Sequence, residues 1–156
     1  MQELFEKGKP LAKYVGGAEE GISRKIDRLL DRARKEKLPE AKPMDRRCLL
    51  FSEFWCPDCL VMLASLRYIQ ELLPQLEIRV LSREGYLDIL SEHSVDGKAR
   101  IPLLLVLDDE GNTRDYLSEV PSSIQEIKND PKDHRDYRSG KYMDKLLEAL
   151  WGMLTG

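Results

Sequence analysis

Cys56 and Cys59, with Pro57 and Asp58 between them, are the residues whose types and spacing best suit chemistry in this chain. The preceding residues 47–54 (RCLLFSEF) read as a buried strand, and a helical pattern runs on to Leu73 before Pro74 stops it. That junction puts Cys56 at a helix N-cap, Pro57 at the first helical position that proline favours, and Cys59 in the first turn. Unpaired backbone N–H groups and the positive end of the helix dipole then lie beside the Cys56 sulfur, and they favour the nucleophilic thiolate over the thiol. A separation of three residues at a helix start brings the second sulfur within bridging range. Cys59 can therefore resolve a mixed disulfide, and the pair can cycle between dithiol and disulfide. Asp58 acts in two opposed ways. Its carboxylate complements the helix dipole by about 0.3–1 kcal/mol, while its charge beside both sulfurs disfavours a thiolate.

The rival use for two cysteines is a zinc site. It would need four ligands, and the sequence has no second CxxC, HxxH or CxxH; Cys48, His93 and His134 are scattered. No metal is therefore expected. Cys48 reads as a small buried strand residue, and the two histidines as solvated side chains. Glu53 alternates onto the strand face opposite Leu50, Ser52 and Phe54, which makes it a weak candidate for moving the Cys59 proton.

The elements that must position the dithiol follow from periodicity. Leu76-Glu77-Ile78-Arg79-Val80 alternates as a half-buried strand, so strand, helix and strand form a βαβ unit with a parallel pair. A short helical stretch spans 86–91. Residues 101–107 (IPLLLVL) are a continuous apolar run, as in a strand covered on both faces, and 113–120 reads as its hairpin partner across the turn at 108–112. Ser122 and Gln125 have capping-box spacing for a short helix, residues 128–140 read as a polar loop, and 141–154 as a C-terminal helix burying Leu146, Leu147, Leu150 and Leu154. At the other end, Ile22, Ile26, Leu29, Leu30 and Ala33 mark an amphipathic helix over 18–38, preceded by a poorly ordered start. Pro39 and Pro43 bracket a linker. The expected organisation is a helical extension over 1–42 and an α/β domain over 43–156.

Strand, Trp55-Cys56-x-x-Cys59, long helix, and Ile101-Pro102 opening an apolar strand together resemble the thioredoxin family. The resemblance implies a thioredoxin-like α/β fold, a central mixed sheet flanked by helices. It also implies Cys56 as attacking thiol, Cys59 as resolving thiol, Trp55 as flanking aromatic, and Pro102 as a cis-proline preceded by Ile101, whose backbone meets a bound substrate. Arg100 would then stand where its guanidinium can reach an acidic substrate or support the thiolate; the competing reading is a solvated surface arginine. Tyr137, Arg138 and Lys141 are further candidates to line a groove. Leu50 stands where thioredoxins carry a buried aspartate, Leu60 replaces the basic residue that often follows the second cysteine, and Leu103 replaces threonine.

Composition narrows the function classes. The chain has 156 residues, 42% apolar and 34% charged, with a net charge of −3, enough for a core without staples and not basic enough to suggest nucleic acid. Residues 1–47 carry 13 Lys+Arg against 9 Asp+Glu, while the remainder carries 12 against 19. No apolar run approaches the roughly 20 residues that cross a bilayer, the start lacks a signal-peptide pattern, and three cysteines suit a reducing, cytoplasmic setting. The expected activity is thiol–disulfide exchange, in the reducing direction because Asp58 holds Cys56 less acidic than in strongly oxidising relatives. The expected partners are a disulfide-bearing protein or small-thiol substrate and a thiol or flavoprotein electron donor, with no cofactor, nucleic acid or membrane. The alternative is a thioredoxin-fold interaction module whose dithiol is vestigial.

Overall fold

In the computed structural model, which describes residues 1–42, 45–127 and 130–156, the sheet is built outward from its most apolar strands. β2 (Arg47–Phe51) and β4 (Leu103–Leu107) lie side by side at its centre, and their side chains are almost all buried on both faces. β3 (Glu77–Leu81) runs parallel to β2, with Cys48 opposite Ile78 and Leu50 opposite Val80. β4 is antiparallel to β2, and β5 (Thr113–Ser118) is antiparallel to β4. The parallel pair needs a crossover, and α4 (Pro57–Leu72) supplies it. Its apolar residues point nearly all round, so α4 is a buried helix: Leu60 through Leu66 and Ile69 are enclosed between the sheet and other helices. The mixed sheet flanked by helices is the architecture expected from the sequence.

The N-terminal residues differ from expectation. Instead of a poorly ordered start there are α1 (Gln2–Lys7), β1 (Lys9–Pro10) and α2 (Leu11–Gly16), with α3 (Glu20–Ala33) following. β1 pairs antiparallel with β3, so the described strand order is β1-β3-β2-β4-β5. Gly8 allows this approach, because a Cβ there would stand 2.8 Å from the Arg79 Cβ. α3 packs along α4, and Leu11, Ile26, Leu29, Leu30 and Ala33 are buried in the same core as Leu63, Leu66 and Leu147. The first 42 residues are thus folded into the body of the molecule rather than appended to it. Pro43, where the expected linker was to end, lies outside the described residues.

Two other segments depart from expectation. Where a loop over 128–140 was expected, α6 (Pro131–Arg138) forms, with the Asp130 side chain accepting the Lys132 N–H at 2.8 Å as an N-cap and Pro131 at the first helical position; residues 128 and 129 of that stretch lie outside the described residues. The capping-box spacing of Ser122 and Gln125 leads to turns and not to a helix. α5 (Leu87–Glu92) and α7 (Met143–Thr155) complete the molecule close to their expected places. Gly140 has a φ of +93°, which only glycine adopts freely, and it turns the chain from α6 towards α7 against Leu29 and Arg32 of α3. Among the described residues, no helix is long and apolar enough to cross a membrane.

Candidate active site

β2 ends at Phe51, and five residues later α4 begins at the cysteine pair. Cys56 is the N-cap of α4 in extended conformation, Pro57 opens the helix, and the Cys56 sulfur accepts the Cys59 backbone N–H at 3.3 Å. This is the arrangement that a hydroxyl or carboxylate side chain makes at an ordinary N-cap, performed here by a sulfur. The peptide bond between Ile101 and Pro102 is cis, as the resemblance implied. The Ile101 carbonyl faces the Cys56 sulfur at 4.0 Å, within range to accept a weak S–H hydrogen bond. Ile101 and Pro102 therefore do stand beside the dithiol.

The two thiols have opposite electrostatic characters. Sharing a hydrogen bond with Cys59 lowers the Cys56 pKa, with backbone amides of the first turn helping. Burial and the Asp58 carboxylate act against this, and the net direction is still down. Cys59 has no exposed surface; burial first and the neighbouring sulfur second push its pKa far up. Of the two thiols, Cys56 is thus the one whose thiolate is favoured and Cys59 the one held protonated.

Trp55 is 67% exposed, with its indole N–H donated to the Glu53 side chain at 3.3 Å. Asp58 does not stand free, because the Arg138 Nε–H donates to its Oδ1 at 3.0 Å. Arg138 and Tyr137 arrive on α6, where the polar sequence had suggested a loop. Tyr137 is buried with an unpartnered hydroxyl, and its pKa is raised by burial and by the nearby Asp58 and Cys59. Lys141 pairs instead with Asp136 at 3.4 Å. Arg100 also turns elsewhere, to Asp96 at 2.6 Å, and lines a cavity shared with Asp58 and Glu119. Among the described residues, its hydrogen-bonded ion pair is with Asp96 and not with Cys56.

Beneath the pair lies a feature that periodicity did not reveal. Ser52 is fully buried at the end of β2, and its Oγ has no partner in hydrogen-bond geometry, yet it lowers the pKa of both the Cys59 thiol and the Tyr14 phenol. Tyr14 comes from α2, stacks on Phe54 with ring centroids 4.4 Å apart, and is pushed up to about 12 by burial. Of the groups that lower the Cys59 pKa, the Glu53 backbone comes first and the Ser52 hydroxyl second; Leu50, fully buried on β2, brings no charge. The signals were a lone serine in an apolar strand and a tyrosine in a short N-terminal helix, each too common to single out. Among the described residues, no group of three or more His, Cys, Asp or Glu is placed to hold a metal ion.

A family model described as Thioredoxin matches residues 8–135. The chain belongs to the thioredoxin family. The match begins just before β1, so this thioredoxin domain takes in the N-terminal strand and α3, and it ends inside α6. Two solved structures are similar over nearly their whole length. One is a Pseudomonas aeruginosa protein of unknown function, 28% identical over 97% of both chains with a TM-score of 0.80. The other is an HIV epitope-scaffold protein, 27% identical over 97% of both chains with a TM-score of 0.77. No curated protein matches the sequence significantly.

Proposed function

We propose that the protein is a thiol–disulfide oxidoreductase that reduces disulfides of proteins or small thiols through Cys56 and Cys59. The observation that carries this reading is the Cys56 sulfur at the N-cap of α4, accepting the Cys59 amide at 3.3 Å. A thiolate so placed is stabilised by the helix terminus; Cys56 itself is only 7% exposed, and the exposed Trp55 beside it marks the side from which a disulfide would approach. The Cys56 thiolate attacks one substrate sulfur; the substrate S–S bond breaks, and the leaving thiolate takes a proton. Cys59 then loses its proton and attacks the Cys56 sulfur, which releases the second substrate thiol. Two electrons pass from the dithiol, now a Cys56–Cys59 disulfide, to the substrate, now two thiols. A thiol or flavoprotein donor restores the dithiol. Ile101 supplies a backbone carbonyl beside the exchange, and Pro57 and Asp58 shape the first turn that holds the sulfur.

The test is reduction of a protein disulfide by the wild type beside Cys56→Ser, with Cys59→Ala used to trap substrate. The wild type reduces it, Cys56→Ser does not, and Cys59→Ala accumulates a mixed disulfide on Cys56. Activity indifferent to Cys56→Ser would overturn the reading in favour of an interaction module.

A further inference from the structure

Trp55 and Pro57, the neighbours of Cys56, also line a groove of about 370 Å³ between α3 and the start of α4. Leu29, Phe54 and Leu60 give it apolar walls, and its volume is that of a small-ligand site. Three cations line it as well: Lys25 and Arg28 from α3, and Arg138 from α6.

These cations differ from the other basic residues of the N-terminal helix. Arg24 is matched by Glu20 at 2.9 Å, and Arg32 by Glu36 at 2.7 Å. Just beyond the helix, Arg34 is matched by Glu71 at 2.5 Å. Among the described residues, Lys25 and Arg28 form no ion pair, and Arg138 engages Asp58 through its Nε while its side chain stays 43% exposed. The other cavity near the dithiol has the opposite character. Asp58, Asp96 and Glu119 line it, and its Arg100 is already bound to Asp96. A ligand carrying carboxylates is therefore repelled from one side of the first turn of α4 and met by uncommitted cations on the other.

We infer that this groove is a substrate subsite for a carboxylate-bearing, peptide-sized disulfide, with Lys25 and Arg28 holding its carboxylates and Trp55 packing on the chain next to the sulfur. The inference rests on the proposed exchange at Cys56 and adds no chemical step to it. It also gives the basic face of α3 a use in an otherwise acidic molecule.

Two measurements test it, one of which does not depend on the dithiol. S-methylglutathione carries the carboxylates of a small acidic peptide and cannot exchange. Calorimetric titration should show saturable binding to the wild type, weakened about tenfold or more in Lys25→Glu/Arg28→Glu and by added salt. The pre-reduced protein is then reacted, in a single turnover, with oxidised glutathione and with neutral hydroxyethyl disulfide. The double variant should lower the ratio of the two rate constants about tenfold, and Lys25→Arg should largely preserve it. Equal binding by wild type and double variant, or an unchanged rate ratio, would overturn the inference. Exchange indifferent to Cys56→Ser would overturn the oxidoreductase reading alone, and the titration would still decide the groove.

Discussion

Arg138 donates to the carboxylate of Asp58 at 3.0 Å across 80 positions of sequence, so the one acidic residue inside the cysteine motif is partly neutralised by a helix from the other end of the chain. The pair is half-exposed, with side-chain accessibilities of 43% for Arg138 and 15% for Asp58. Its influence on Cys56 is therefore modest in energy and clear in sign.

Removing the cation lets the Asp58 charge act fully on the thiolate. Arg138→Ala should move the thiolate titration of Cys56 upward and slow exchange at neutral pH by about two- to threefold, the size expected of a solvent-screened pair. Asp58→Asn should move the titration downward. Ultraviolet thiolate absorbance against pH checks both. Shifts of the same sign in the two variants would show that Arg138 acts on Cys56 by some route other than Asp58.

Ser52 is the hydroxyl that lowers the Cys59 pKa against its burial. In Ser52→Ala that aid is lost and Cys59 gives up its proton less readily, so the second exchange step should slow by about two- to threefold, the effect of a polar neighbour short of a formed hydrogen bond. The mixed disulfide on Cys56 should live correspondingly longer, read by quenched-flow mass spectrometry, with the first step unaltered. Because the Ser52 Oγ has no partner in good geometry, the same variant should change folding stability by less than about 1 kcal/mol.

Burial pushes the Cys48 thiol up to about 12 from its ordinary 9.0. The unfolded chain releases that proton first, so Cys48 contributes stability that is fully present below 9.0 and is lost as pH rises through about 12. Tyr14 acts in the same sense between 10.0 and about 12. Cys56 is depressed and acts oppositely: its contribution is present above the ordinary thiol pKa and is lost as pH falls through its native one. Urea unfolding of the reduced protein should therefore show midpoints that fall as pH rises from about 9 towards about 12, and Cys48→Ala should flatten that decline while costing about 1 kcal/mol at neutral pH.

Ile26 of α3 is 1% exposed and packed in the core that also holds α4 and α7. Ile26→Ala should cost about 2–5 kcal/mol in a single cooperative transition. Chemical denaturation followed by Trp151 fluorescence and by circular dichroism checks it. A separate low-stability step confined to the N-terminal helices would mean that they fold as an independent appendage.

The strand leading into Cys56-Pro57-Asp58-Cys59, the long helix after it and the apolar strand after Ile101-Pro102 were legible because each carries a sustained pattern bounded by proline. α1, β1 and α2 were not. At two to six residues each they are too short to show a period, and they are held by sheet pairing and by Leu11 and Phe5 in the core. α6 was missed for a different reason. Its start signal, Asp130-Pro131, is present, but only Tyr137 of its eight residues is buried, so no apolar stripe announced it. The Ser122–Gln125 spacing misled in the opposite direction, since a cap without an apolar run behind it nucleates nothing. At the site, the residues of the cysteine motif and Ile101-Pro102 were found from sequence, and Arg138 was named as a groove candidate without its partner Asp58; the closeness of Tyr14 and Ser52 to Cys59 comes from tertiary packing, which one chain's pattern does not encode.

β1 is only two residues long, and its second residue is Pro10, which has no N–H to offer to a further strand. It covers the rim of β3 and ends hydrogen bonding there with a charged side chain and an imino ring. A chain shortened past Pro10 would leave that rim open to other copies, and self-association through backbone pairing would be its characteristic failure, well before any loss of the cysteine chemistry.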